Sequence, residues 1–236
     1  MPKVSIIQTD NRLKLDYLLL TQQQNKKICD QFGYNYLFIE MNLEKNKGFR
    51  PEMQKIFLVH EYLKTTTDDI LVFLDSDAWV QNGAWLQQLI LFLENNNGKQ
   101  GCFSRDPYVK KNTYVNSGSF LLKINEFTKN MYQEIISTVF AEDSTRHNTW
   151  PFDQIYISDF VFRNRNSFYV FVPSILNTPI GEILRHNWWK TPKMYYDLHQ
   201  LINSSIVMNP PILNLESCLD NECYPNTAEH GYEYFH

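Results

Sequence analysis

The sequence predicts an α/β fold with a ligand site at the carboxyl end of a buried strand, and two observations carry that prediction. Ile70 to Val80 reads ILVFLDSDAWV, in which an apolar run leads straight into Asp75 and Asp77. A short continuous run rich in branched side chains is the pattern of a parallel-sheet strand covered on both faces. Ligands of open α/β sheets bind beyond the carboxyl ends of such strands. The segments before this one alternate between short apolar runs and stretches of helical period, which is the βαβ arrangement of a nucleotide-binding half-sheet. Residues two apart on an extended chain point the same way. Asp75 and Asp77 therefore either converge on one cation or end the strand as turn and cap residues.

From the amino terminus, Lys3 to Thr9 is an apolar strand with Gln8, Thr9 and Asp10 at its carboxyl end. There, polar groups read a base or ribose, or Asp10 or Asn11 caps the next helix. Leu13 to Phe32 has helical period, with Leu15, Leu18, Leu19 and Ile28 on one side, and Gly33 stops it. Asn35 to Glu40 resumes as a strand. Met41 to Phe49 is a polar loop before a helix from Pro51 to Lys64, since proline suits a first helical turn. Lys55 near its start either reaches a diphosphate or lies on the surface along its own stem. Gly83 to Asn95 is an amphipathic helix, and Gly101 to Arg105 a short strand.

Tyr114 to Lys123, YVNSGSFLLK, places Asn116, Ser117 and Gly118 at a bend before a strand. Glycine there allows close backbone approach, or simply a tight turn. Asn125 to Val139 is a helix, and the polar Glu142 to Trp150 is expected to be a mobile lid. Asp153 and Gln154 open the following helix, where an acid is also a good cap. Phe168 to Val172 is a strand closed by Pro173. In EILRHNWWKTPK, His186 leaves a short strand before Trp188, Trp189, Lys190 and Lys193. Two carboxylates and one imidazole suit manganese better than calcium, although a histidine among aromatics also packs in cores, and the tryptophans stack on a sugar or belong to the core. Pro192 to Ile202 is helical, and beyond Pro210-Pro211 the chain is polar and without period.

Composition narrows the function classes. The chain has 236 residues, 43% hydrophobic and 15% aromatic, enough for one sizeable core. A net charge of -4 and the absence of a dense Lys/Arg run argue against nucleic acid. No apolar run is long enough to cross a bilayer and the first residues lack a secretory pattern, so a cytoplasmic protein is expected. Cys29, Cys102, Cys218 and Cys223 are too scattered for a zinc framework and are expected as free thiols. The sequon at Asn203 would matter only in a secreted protein.

Several of these stretches together resemble a known family. YLLLTQQQNKKICDQFGY, the helix carrying Lys55, LDSDA, VNSGSFLLK, the Asp153-Gln154 pair and HNWWK occur in the order seen in nucleotide-sugar glycosyltransferases of the GT-A fold. The sequence is most similar to family 34, which includes galactosyl-, mannosyl- and xylosyltransferases. The resemblance implies a mixed central sheet flanked by helices, with 1–100 as nucleotide-binding half, 101–210 as acceptor half and 211–236 as a tail. It implies that Asp75, Asp77 and His186 hold Mn²⁺ (or Mg²⁺) against the diphosphate of a UDP-sugar, with Ser76 near ribose or phosphate. Lys55 and Lys190 or Lys193 would neutralise phosphate charge. Asn116, Ser117, Gly118, Asp153 and Gln154 would surround the transferred sugar, with Gln154 on the reacting face. HNWWK lacks the glycine that the family usually places between its late histidine and lysine.

The implied reaction moves a hexose or pentose from a UDP-sugar to a glycan or glycoprotein, with retention of configuration and Asp153 as electrostatic stabiliser or acceptor contact. An inverting enzyme would instead use Asp153 as general base toward the acceptor hydroxyl. Two alternatives stand beside it. A phosphohydrolase of the haloacid dehalogenase type also has Asp-x-Asp after an apolar strand, but usually with Thr or Val where Trp79 stands. A non-catalytic nucleotide- or sugar-binding module on the same fold is the other.

Overall fold

Three parallel strands make the amino-terminal half. In this computed structural model, which describes residues 1–46, 48–107, 114–142 and 144–220, β1 (Val4–Asp10), β2 (Asn35–Glu40) and β3 (Ile70–Leu74) are joined by α1 (Asp16–Phe32) and α2 (Pro51–Thr65). β1 lies between the other two, with Ile6 opposite both Tyr36 and Val72. All five residues of β3 are buried, as an uninterrupted apolar run requires. Alternation along that strand feeds two cores. Ile70, Val72 and Leu74 pack with Ile28 and Phe32 of α1 and with Leu86 and Leu89 of α3 (Gly83–Glu94). Leu71 and Phe73 face Met53 and Ile56 of α2 and the helices of the second half.

The second half turns the sheet from parallel to mixed, as expected. β6 (Ser119–Lys123) runs antiparallel to β3, with Ser119 opposite Leu74. β5 (Gly101–Ser104) pairs antiparallel with β6 and parallel with β7 (Phe168–Phe171). The order is β2-β1-β3-β6-β5-β7. Because β6 runs opposite to β3, the bend that begins β6 sits at the carboxyl end of β3. α4 (Glu126–Ala141), opened by a reciprocal Asn125/Thr128 capping box, and α6 (Asp153–Arg163) cover this half.

A separate two-stranded sheet completes the site. β4 (Ala78–Val80), just after the DSD segment, pairs antiparallel with β8 (Leu184–His186), setting Ala78 opposite His186. The short helices α5 (Ser144–His147) and α7 (Pro173–Leu176) and the amphipathic α8 (Pro192–Asn203) complete the named helices.

Three expectations change. The first helix begins at Asp16 rather than Leu13, and Leu19 is 53% exposed while its neighbours Tyr17 and Leu18 pack against Trp79, Met194 and Leu198. Within the expected lid, Glu142 accepts a hydrogen bond from the Tyr156 hydroxyl at 2.8 Å and pairs with Arg146, which ties that segment to α6; Asp143 lies outside the described residues. The tail, up to Asp220, closes the free edge of β7. Leu219 bridges to Phe171, Asp220 N donates to Val170 O, and the Asp220 carboxylate meets Arg105 at 2.9 Å. Those bonds are mainly backbone ones, so no side-chain period announces them. Residues 221–236, Cys223 among them, lie outside the described residues. Among the described residues no helix is long and apolar enough to cross a membrane.

Candidate active site

The DSD segment is held from beneath by a buried amide. Gln8 is fully buried, and its Nε2 faces the carbonyl oxygens of Asp75, Ser76 and Ala78 at 3.1, 3.3 and 3.1 Å. Its Oε1 accepts from Tyr36 Oη and Asn25 Nδ2. Thr21 Oγ1 adds a bond to Ser76 O. Asp75 O also accepts from Ala78 N and Ala78 O from Asn25 Nδ2, so the turn after the buried strand has its carbonyls fully engaged. Gln8 thus supports the DSD turn, with both ends of its amide engaged within the protein.

On that support the metal-binding types converge. One ligand atom from each of Asp75, Asp77 and His186 lies within 4.8 Å of the others. His186 Nε2 is 3.1 Å from Asp77 Oδ1 and 3.8 Å from Asp75 Oδ2, while Nδ1 is 2.8 Å from the buried Asn177 Oδ1. Two hard oxygen donors and one imidazole, fixed by a partner on the ring's other nitrogen, fit a divalent cation. Asn187 N donates to Asp77 O, which extends the β4–β8 pairing to the site itself.

Lysines neutralise the two acids. Lys190 pairs directly with Asp77 and lies 5.0 Å above the Tyr17 ring. Burial would raise the Asp77 carboxyl, but His186 and Lys190 outweigh it and hold the carboxyl well below the ordinary range. Lys55, only 6% exposed, stands 3.1 Å from both Asp75 Oδ1 and Asp153 Oδ2. Burial would lower its pKa; the two carboxylates more than reverse that. Burial pushes Asp153 up to about 6 against the pull of Lys55. Lys55 is thus the buried counter-ion between two acids and not a surface lysine. Lys193 is 80% exposed and pairs with Asp197 on its own helix, away from Asp77's lysine.

The β6 bend supplies the other wall. Asn116 Oδ1 accepts from Gly118 N at 2.8 Å, and Gln154 Oε1 faces Ser117 N at 3.4 Å. Gly118 O accepts from Asp75 N at 2.7 Å, which joins the two segments that the sequence singles out separately. Asp153 and Gln154 enter directly after Phe152, whose φ of 52° is a left-handed conformation that side chains rarely adopt. The Arg50 guanidinium lies 4.6 Å from its ring centroid.

At the end of β1, the Asp10 carboxylate takes bonds from Arg12 N, Nε and Nη2 at 2.7, 2.9 and 2.9 Å. Burial raises Asp10, and its bonds to Arg12 and Ser76 overcome that and lower it. Thr9 Oγ1 is buried and has no hydrogen-bond partner among the described residues. Trp188 packs edge-on against His186 at 5.3 Å, while Trp189 is 59% exposed.

Comparison with known proteins rests on this geometry. No protein-family model and no curated protein matches the sequence. Solved structures do. A glycosyltransferase involved in glycosylating the major capsid protein of PBCV-1 superposes with a TM-score of 0.64 at 17% identity, covering 85% of this chain and 98% of that one. The chain has the GT-A glycosyltransferase fold. The galactosyltransferase LgtC, solved with donor and acceptor sugar analogues, aligns with a TM-score of 0.52 at 13% identity, covering 88% and 98%. GlyE of Streptococcus pneumoniae TIGR4 gives 0.55 at 12% identity over 87% of this chain and 61% of that one. In the GT-A fold of this chain, the acids follow the third parallel strand and the histidine arrives on β8.

Two residues at the site went unnoticed in the sequence. Asp106 is buried between Asn116 and Gln154, and Asn177 beside His186. RDPY and LNTP carry no spacing signal that would have singled them out.

Proposed function

We propose that this protein is a metal-dependent glycosyltransferase that moves a hexose or pentose from a UDP-sugar to a glycan or glycoprotein acceptor, with retention of configuration. The observation that carries the reading is the meeting of Asp75, Asp77 and His186 at the carboxyl end of a GT-A sheet. A divalent cation held by these residues, when bound, supplies Lewis-acid stabilisation to the diphosphate leaving group. Lys190, which pairs with Asp77, would supply positive charge to the phosphate. Thr9, Asp10 and Ser76 are the proposed contacts for base and ribose.

The Asn116–Gly118 bend and Asp153–Gln154, which touch one another, together line the proposed place of the sugar. As the sugar–phosphate bond weakens, positive charge builds on the ring, as in glycoside hydrolysis. The carbonyl oxygen of Gln154 stabilises that charge. Asp153 is buried and paired with Lys55, which suits fixed electrostatics better than proton abstraction from an acceptor hydroxyl, and so favours retention. The Asp75–Lys55 pair and the GT-A topology do not favour the phosphohydrolase alternative.

The test is calorimetric titration of UDP with and without Mn²⁺ into wild type and Asp77→Ala, then a hydrolysis screen over UDP-sugars. Metal-dependent UDP binding lost in the variant is expected. No UDP binding to either protein ends the UDP-donor reading; binding without turnover of any donor moves the protein to the non-catalytic module.

A further inference from the structure

Asp106 belongs to no motif, yet it is the point at which both walls of the proposed sugar pocket meet. It follows β5, and the residue is 2% exposed. Oδ2 accepts from Asn116 Nδ2 at 3.0 Å and from Gln154 Nε2 at 2.6 Å. Its own N–H donates to Tyr114 O, which fixes Asp106 to the segment entering the bend. The amide oxygens turned away from it are the ones that accept from Gly118 N and Ser117 N.

A side-chain amide has a donor end and an acceptor end of almost the same shape, so packing alone does not choose between its two orientations. A carboxylate does choose, because it accepts and does not donate. With both NH₂ groups drawn to one acceptor, both carbonyl oxygens must face the Ser117–Gly118 backbone. A single buried acid thereby sets two amides and, through them, the two N–H groups that shape the bend.

We propose that Asp106 is a positioning residue for sugar transfer: its carboxylate orients the Asn116 and Gln154 amides so that the Gln154 carbonyl oxygen, accepting from Ser117 N–H with one lone pair, presents the other to the reacting ring. This rests on the glycosyltransferase reading above. Asp106 acts through other residues and touches neither sugar nor cation.

The experiment compares Asp106→Ala with Asp106→Asn in the full chain. Asn keeps an acceptor that Gln154 and Asn116 can share; Ala removes it. Hydrolysis of the UDP-sugar that wild type turns over, with Mn²⁺, is expected to lose about 10²-fold in kcat in the alanine variant, the scale of a misplaced group. KM and UDP affinity stay near wild type, and the asparagine variant recovers most of the rate. Equal losses in both variants would mean that the charge and not the orientation matters, which overturns the proposal, as would a wild-type rate in the alanine variant.

Hydrogen exchange at the Ser117 and Gly118 amides gives a second reading that needs no turnover. It should quicken in Asp106→Ala and not in Asp106→Asn, and unchanged exchange in both overturns the orienting role. A wild type that turns over no UDP-sugar therefore removes the glycosyltransferase reading while exchange still decides what Asp106 orients. Should Asp106→Ala not fold, Gln154→Glu sets two acceptors face to face and is expected to lower Tm. Adding Asp106→Asn restores a donor opposite an acceptor and is expected to raise it again; no recovery overturns the proposal.

Discussion

Gly118 and His186 touch so closely that a Cβ on Gly118 would stand 2.1 Å from the ring's Cε1 and 2.3 Å from its Nδ1. The glycine is required by the ring, and the ring by the acids it faces. Gly118→Ala is expected to push His186 off its line to Asp77 and to cost about 1–3 kcal/mol of stability through overpacking. Mn²⁺ affinity, measured by electron paramagnetic resonance, should fall by about 10-fold or more, as when a supporting partner of a metal ligand is lost. Unchanged affinity would show that His186 is not a ligand.

Lys55 separates Asp75 from Asp153, and both acids are close enough to need it. Lys55→Met leaves two carboxylates without their shared cation in a buried site, which is expected to cost about 3–5 kcal/mol in urea unfolding. Asp153→Asn in the same chain removes one of the stranded charges and should recover part of that loss. Strict additivity of the two substitutions would show that the pair is not coupled.

Gln8 is expected to act on stability and on the metal, and not on nucleotide recognition. Gln8→Leu leaves the carbonyls of Asp75, Ser76 and Ala78 without their shared donor, at about 2–4 kcal/mol in urea unfolding. Mn²⁺ affinity should weaken as the DSD turn loosens. A variant of wild-type stability with reduced UDP affinity would instead restore Gln8 to the base or ribose.

Asp10 provides a pH-dependent test. Its pKa is lowered in the folded protein, so its contribution is complete above the unfolded carboxyl value near ~3.9 and disappears as pH falls through the lower folded value. Arg12 is 60% exposed, so solvent screening limits the contribution to about 1 kcal/mol. Asp10→Asn should be less stable than wild type at pH 7, and the gap should close below about pH 4. A gap independent of pH would mean that packing, and not charge, holds the β1 end.

The parts of the site legible in the sequence are those written in consecutive residues. Ile70 to Leu74 must be buried because no polar residue interrupts it, and Asp75 and Asp77 then have only one end of the sheet at which to emerge. Asn116 to Gly118 is legible for the same reason. His186 is different: nothing within its own segment distinguishes a ligand from a packed histidine, and only the pairing of β4 with β8 across the chain brings it to Asp77. Lys190 and Lys193 look equivalent in HNWWKTPK, yet α8 starts at Pro192 between them and turns Lys193 toward Asp197. Gln8, Asp106 and Asn177 owe their roles to partners distant in sequence, so their types and local spacing carry no signal. Asp106 depends on residues 10 and 48 positions further on.

Lys190 makes the sharpest demand on the proposed chemistry, because it occupies Asp77 in the protein without ligand and is assigned to phosphate in its presence. These two roles have opposite signs. In the free protein Lys190 competes with a cation for the same carboxylate, so Lys190→Ala should bind Mn²⁺ alone more tightly, by roughly 5-fold for a pair worth about 1 kcal/mol whose lysine is one-third exposed. With UDP present the same substitution removes a positive charge from the diphosphate, and UDP affinity at saturating Mn²⁺ should fall. Calorimetry of the variant reads both. Opposite shifts support a lysine that passes from acid to phosphate, whereas weaker binding in both titrations would mean that Lys190 only holds the 187–191 segment in place.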